Sequence, residues 1–162
     1  MILIALGANL PSKVGMPRNT CLAALEDIQH HNITVLDVSH WYESAPVPIS
    51  DQPMFVNAVV SVDTSIPPSS LLSILLSIED KFDRKRSKKN APRTLDLDLI
   101  AYHDRVELGP PELPHPRLQD RAFVLKPVRD VAPNWKHPLT GQSVSDMISV
   151  LKAPNSATLL PS

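Results

Sequence analysis

Glycine is scarce in this chain. Its 162 residues hold four, Gly7, Gly15, Gly109 and Gly141. That excludes two common phosphate cradles, because neither Gly-x-x-x-x-Gly-Lys-Ser/Thr nor Gly-x-Gly-x-x-Gly can be spelled. Any bound nucleotide must be held by side chains instead. Cysteine is scarcer still: Cys21 alone rules out an internal disulfide and suits a reducing compartment, so a cytoplasmic location is expected. Cys21 falls on an apolar helical face and reads as core packing. Aromatic residues are 4% of the chain, and none stands in the Lys/Arg-Gly-Phe/Tyr setting of an RNA-recognition surface. Neither sign of charge is in excess. A net charge of −1 gives no whole-molecule attraction to nucleic acid or anionic lipid. No apolar run approaches the roughly 20 residues of a membrane helix, and the N-terminus lacks the basic flank of a signal peptide. No nucleic-acid or membrane partner is therefore expected.

Proline, by contrast, is abundant, with 17 residues fixing turns around 46–53, 67–68, 110–116 and 154. The length fits one domain, expected over 1–153, with a flexible tail over 154–162. Ile2 to Leu6 reads as a buried strand. Cys21, Ala24, Leu25 and Ile28 follow helical spacing and mark a helix over Pro17 to Gln29. Ile33 to Tyr42 and Phe55 to Val62 read as strands. Pro67 and Pro68 open a second helix, whose buried face is Leu71, Ile74, Leu75, Ile78 and Phe82. Thr94 to Tyr102 is a further strand, followed by a short strand near Val106. Short helices are expected within Asp120–Val131 and Ser143–Leu151. The order β-α-β-β-α-β predicts an α+β fold of ferredoxin-like type. Its antiparallel sheet would carry helices on one face, with short C-terminal helices added.

The densest signal is Arg93-Thr94-Leu95-Asp96-Leu97-Asp98-Leu99. On a strand, Leu95, Leu97 and Leu99 point to one face and Asp96 and Asp98 to the other. The two carboxylates then start roughly 7 Å apart, and their ends can converge on divalent metal. Six basic residues precede or open this strand: Arg84, Lys85, Arg86, Lys88, Lys89 and Arg93. Acidic metal ligands beside guanidinium groups suit a polyphosphate held through magnesium. On spacing alone, an edge strand with solvated aspartates and a solvated basic loop is an equal alternative.

Six segments in order carry a family resemblance. They are Asp51-Gln52-Pro53-Met54-Phe55-Val56-Asn57-Ala58, Ile78-Glu79, Arg84-x-Arg86, Pro92 to Asp98, Leu113-Pro114-His115-Pro116-Arg117, and Arg121-Ala122-Phe123-Val124-Leu125-x-Pro127. Leu6-Gly7-Ala8-Asn9-Leu10 is similar to the family's opening motif. Together they closely resemble 6-hydroxymethyl-7,8-dihydropterin pyrophosphokinase, from residue 1 to about 150. The resemblance implies transfer of pyrophosphate from ATP to the pterin hydroxymethyl group, giving AMP, in folate synthesis. It implies two magnesium ions held by Asp96 and Asp98, with ATP as co-substrate. It implies that Arg84 and Arg93 act in catalysis alongside the two aspartates. Pterin contacts would come from Ser44, Val47, Phe55, Asn57 and Phe123. ATP contacts would come from Glu79, Arg84, Arg86, Arg93, Leu99, His115 and Arg121. A monomer is expected.

The chain also departs from the family pattern. Asn90-Ala91 stands where Trp-Gly is common, Asp83 where glycine is usual, and Phe55 where tyrosine is frequent. The Ser44–Val47 segment differs from the common Thr-Pro-Pro wording. Two other readings therefore stand beside the enzyme: a family member that binds pterin and nucleotide with reduced activity, and a ferredoxin-like binding module.

Overall fold

The structure is a computed structural model describing residues 1–152 and 155–162. Its elements are β1 (Ile2–Ala8), α1 (Pro17–Gln29), β2 (Thr34–Val38), β3 (Tyr42–Ser44), β4 (Phe55–Asp63), α2 (Pro68–Lys81) and β5 (Asp96–Tyr102). A two-stranded hairpin follows, β6 (Glu107–Leu108) with β7 (Glu112–Leu113). A single 3-10 turn at Leu118–Asp120 leads into α3 (Ala122–Val131), then α4 (Val144–Ser149) and β8 (Thr158–Leu159). The fold is α+β with an antiparallel sheet in the order β5-β1-β4-β3-β8, and β2 also pairs with β4.

The apolar run of β1 lies at the middle of the sheet, buried along its whole length, as expected for a strand covered on both faces. Ile2, Ile4 and Leu6 meet the apolar faces of α1 and α2, including Cys21, Ala24, Leu71 and Leu75. Leu3 and Ala5 point the other way and meet Leu118, Val124, Leu125, Val128 and Met147 of the C-terminal elements. Helices thus cover both faces, correcting the expectation that they lie on one. The cause is α3, whose apolar stripe needs a partner and finds it on the second face of β4. The stretch beside Asn57, Asp96 and Asp98 stays open there and lines a cleft.

A single strand over Ile33–Tyr42 is also not what forms. The chain leaves the β4 ladder at Ser39 and rejoins it as β3. Ser39 bonds to Val59 through both its N–H and its hydroxyl, which accepts the Val59 N–H. The next residue is drawn outward: both His40 N–H and Nδ1 meet Asp130 Oδ2 of α3, at 3.2 and 3.1 Å. Trp41 then turns inward to the α1 side, with Arg18 over its ring at 5.5 Å.

The expected loose tail instead returns to the sheet. Thr158 and Leu159 pair with Glu43 and Tyr42. Ala157 is buried, and its carbonyl accepts from Lys126 Nζ at 2.8 Å. Arg18 donates to the Pro161 carbonyl and the Ala122 N–H to Asn155 Oδ1. The unpaired edge of β3 attracts a strand that has no periodicity of its own. The boundary expected at 153/154 lies outside the described residues.

Ending the chain at Lys152 removes β8 and leaves Lys126, the Ala122 N–H and the β3 edge without these partners. The expected cost is about 1–3 kcal/mol, the net worth of a few hydrogen bonds, read from urea unfolding. An unchanged midpoint would mean that β8 adds nothing.

Candidate active site

The open part of the sheet is built by cross-strand register. Gly7 of β1 lies opposite Asn57 of β4 on one side and Asp96 of β5 on the other. One row therefore runs Asn57, Gly7, Asp96, spanning about 9–10 Å across three strands. Gly7 keeps the middle of the row low: a Cβ there would sit 3.4 Å from Asn57 Oδ1. In β5, Leu95, Leu97 and Leu99 enter the α1/α2 core, while Asp96 and Asp98 face the cleft. A register shift follows Leu99, and the displaced Ile100 carbonyl accepts the His115 N–H at 2.9 Å. That bulge brings the 114–117 segment over the acid pair.

The acidic end is held by arginines. Arg84 and Arg93 reach opposite oxygens of Asp96, at 3.2 and 3.0 Å. Arg84 also donates to the Leu95 carbonyl at 2.7 Å. Behind them lies Glu79, 2% exposed. Its Oε2 accepts the Leu97 N–H at 2.7 Å, its Oε1 accepts from Arg86 at 2.8 Å, and Arg84 lies 3.6 Å from Oε2. Burial pushes the Glu79 carboxyl above its usual range, against these donors. The Arg93 backbone is fixed by Asn9, whose Oδ1 accepts its N–H and whose own N–H donates to its carbonyl. Asn9 also donates to Gln52 and Pro53, and Gln52 Nε2 donates to the Asn90 carbonyl at 2.8 Å. The loop after β3 and the basic loop are thus joined at this end.

Two guanidinium–aromatic pairs flank the cleft: Arg93 lies over Phe55 and Arg121 over Phe123, each at 5.4 Å. Asn57 is buried and donates to Ser44 Oγ at 2.8 Å. Its Oδ1 accepts no hydrogen bond among the described residues and remains available to a ligand. His115 Nδ1 accepts the Arg117 N–H at 3.2 Å. The ring proton therefore sits on Nε2. Burial, then the charges of Arg121 and Arg117, press the His115 pKa down to about 4, so the ring is a neutral donor. Asp98 behaves oppositely. Although 32% of its side chain meets water, its concave position desolvates it and Asp96 repels its charge. Its pKa rises to about 7, against the pull of Arg121 4.0 Å away.

Of the residues singled out by sequence, Ser44, Val47, Phe55, Asn57 and Phe123 line this cleft on one side. Arg93, Asp96, Asp98, His115 and Arg121 line it on the other. Its volume is about 210 Å³. Arg84 and Arg86 line an adjoining basic cleft. Two residues do not join either wall. Leu99 has its side chain in the α1/α2 core, because strand alternation puts it with Leu95 and Leu97. Glu79 is not on the surface: it is spent on the Leu97 N–H and the arginines. Sequence reasoning missed Gly7, Asn9 and Arg117. Arg117 had a signal, a cation fixed between prolines and a recognisable motif.

The departures in the basic loop have a backbone reason. Asp83 and Asn90 bracket the loop with φ of +68° and +62°, and Asn and Asp are the non-glycine residues that tolerate this region best. Asp83 also accepts the Lys13 N–H at 3.2 Å.

A sequence model described as 7,8-dihydro-6-hydroxymethylpterin-pyrophosphokinase (HPPK) matches residues 3–133. The chain belongs to the HPPK family. It is 39% identical over 139 residues to the 2-amino-4-hydroxy-6-hydroxymethyldihydropteridine pyrophosphokinase of Pseudomonas aeruginosa, covering 85% of this chain and 83% of that protein. It is 35% identical over 161 residues to the folic acid synthesis protein fol1 of Pneumocystis carinii, spanning 99% of this chain and only 21% of the fungal one. The Plasmodium falciparum HPPK-DHPS crystal structure with pteroate superimposes with a TM-score of 0.69. It covers 91% of this chain and 41% of that one, and at 13% identity the likeness concerns the fold alone.

Asp98 in this HPPK-family cleft is expected to titrate near 7, and Asp96→Asn to lower that value, by removing the neighbouring charge. With a folded pKa above the ordinary 3.8, the unfolded chain releases the proton first as pH rises. Stability contributed by Asp98 therefore falls between about pH 4 and 7, and Asp98→Asn flattens that slope. Carboxyl-carbon NMR titration checks it. A value near 4 in both proteins would mean a freely solvated carboxylate.

Proposed function

We propose that this chain transfers the pyrophosphoryl group of ATP to the hydroxymethyl group of 6-hydroxymethyl-7,8-dihydropterin, releasing AMP, as a step of folate synthesis. The observation that carries the reading is the Asn57–Gly7–Asp96 row. It puts an amide with a free acceptor and an acid pair ringed by arginines on one floor.

In this proposal the pterin lies flat over Gly7, between Phe55 and Phe123, with Arg93 and Arg121 giving up the ring faces to it. Asn57 Oδ1 accepts from the pterin edge, and Ser44 Oγ, bonded to Asn57 Nδ2, fixes the amide orientation. Val47 closes the rim. The hydroxymethyl oxygen loses its proton to solvent and attacks the β-phosphorus. The new O–P bond forms as the bond from the β-phosphorus to the α,β-bridging oxygen breaks, and AMP leaves with that oxygen and the electron pair. Arg84, Arg86, Arg93 and Arg121 neutralise the charge spread over the phosphoryl oxygens, the main demand of this chemistry. His115 offers a neutral N–H donor that burial keeps neutral.

Asp96 and Asp98 fit magnesium. They share one face, and their mutual repulsion and desolvation call for positive charge. The remaining ligands would come from phosphate and water, which magnesium prefers. Asp96 and Asp98 would hold two such ions, which would supply positive charge opposite the polyphosphate and make the hydroxyl more acidic.

The ferredoxin-like reading belongs to the same proposal. If β2 and β3 count as one broken strand, the order β5-β1-β4-β2 is that of the split βαβ sheet. So do a cytoplasmic monomer and the absence of nucleic-acid or membrane partners. No described helix is long and apolar enough to cross a membrane.

With the dihydropterin and magnesium-ATP, the chain should form AMP and pterin diphosphate in equal amounts. ADP as the nucleotide product, or none, would overturn the proposal. Two variants should fail differently. Asn57→Ala should weaken pterin affinity by about 1–3 kcal/mol, the worth of buried hydrogen bonds. Arg93→Ala should lower kcat by about 100-fold or more with little change in pterin affinity. Loss of only one parameter by both variants would refute the division into a pterin half and a phosphate half.

A further inference from the structure

We infer that Arg117 is an additional phosphate-binding residue, gripping the pyrophosphoryl group at the seam between the two clefts. The inference rests on the pyrophosphokinase reading above and adds a residue to it.

Three residues line both the acid cleft and the basic cleft: Asn90, Arg93 and Arg117. A polyphosphate lying across the two passes this seam. Arg93 is already committed to Asp96, at 3.0 Å. The other site arginines are similarly engaged: Arg84 with Asp96 and Glu79, Arg86 with Glu79 and Asp80, Arg121 with Asp98. Arg117 makes no ion pair within 4.0 Å among the described residues and is exposed at the cleft mouth.

Its surroundings make that freedom costly. The charge of Arg117 acts on both His115 and Arg121, disfavouring a proton on each. A cation set beside two other nitrogen donors, with no carboxylate to balance it, is an arrangement that an anionic ligand relieves. The backbone beneath it is fixed. Pro116 restrains the segment, the His115 N–H is tied to the Ile100 carbonyl, and the Arg117 N–H is tied to His115 Nδ1. A guanidinium on a fixed stem presents a planar fork that matches two phosphate oxygens.

The part of the ligand concerned follows from position. Arg117 shares the acid cleft with the pterin-side residues and the basic cleft with the loop. The group common to ATP before transfer and to pterin diphosphate after it is the pyrophosphoryl group. AMP lacks it.

The test is Arg117→Gln, which keeps the backbone N–H to His115, with Arg117→Lys as the charge-conserving partner. Isothermal titration should show Arg117→Gln weakening magnesium-ATP and pterin diphosphate by about tenfold or more, the scale of a lost charged hydrogen bond. AMP and the dihydropterin should bind within about twofold of the unsubstituted protein. Arg117→Lys should fall between the two, since it keeps the charge and loses the fork. Unchanged ATP binding in Arg117→Gln would overturn the inference. So would equal weakening of AMP, dihydropterin and ATP, which is the mark of a structural role. If the unsubstituted protein forms no AMP, the pyrophosphokinase reading fails. If it forms AMP and Arg117→Gln binds ATP normally, only this inference fails.

Discussion

The site depends on one buried carboxylate. Glu79 sits at the end of α2 and, at 2% exposure, is almost out of water. Its Oε2 takes the N–H of Leu97, which lies between Asp96 and Asp98 in sequence. β5 is an edge strand, so this N–H has no neighbouring strand to accept it. The same carboxylate holds Arg86 and lies near Arg84. One group thus fixes the height of the acid strand and the root of the basic loop together. Burying such a charge is expensive unless every oxygen is occupied. Here both are, and the donors belong to the two segments that must meet.

Small residues set the rest of the floor. Gly7 and Ala5 stand opposite Asp96 and Asp98 on β1, so no large side chain rises between the acids and Asn57. Specificity and charge management are separated across this strand. The β4 side carries the amide, the hydroxyl and one aromatic. The β5 side carries the acids and arginines. The bulge after Leu99 then tilts His115 and Arg117 over the seam, so a sheet irregularity supplies the third wall.

Local features were legible in the sequence. The alternation through 95–99 put Asp96 and Asp98 on the face they occupy, and the helical spacing of Cys21, Ala24, Leu25 and Ile28 gave the buried side of α1. Features set by distant partners were not. The break at Ser39–Trp41 depends on Asp130, almost a hundred residues later. The C-terminal cover of the second sheet face depends on where α3 finds an apolar partner. The docking of Thr158–Leu159 depends on a vacant strand edge. In the site, most candidate residues converge on one cleft. The resemblance put Leu99 among the ATP contacts, and strand parity sends its side chain to the core. Glu79 was ambiguous because a helix-end glutamate looks exposed until the strand that covers it is known.

The central claim is that the Glu79 carboxylate holds the acid strand and the basic loop together. Urea unfolding of Glu79→Ala and Glu79→Gln tests it most directly. Alanine leaves the Leu97 N–H unsatisfied and takes one carboxylate from Arg84 and Arg86, which keep Asp96 and Asp80, and should cost about 1–3 kcal/mol. Glutamine keeps an acceptor for that N–H and should cost clearly less. Both variants within about 0.5 kcal/mol of the unsubstituted protein, the range of an ordinary surface change, would contradict the account.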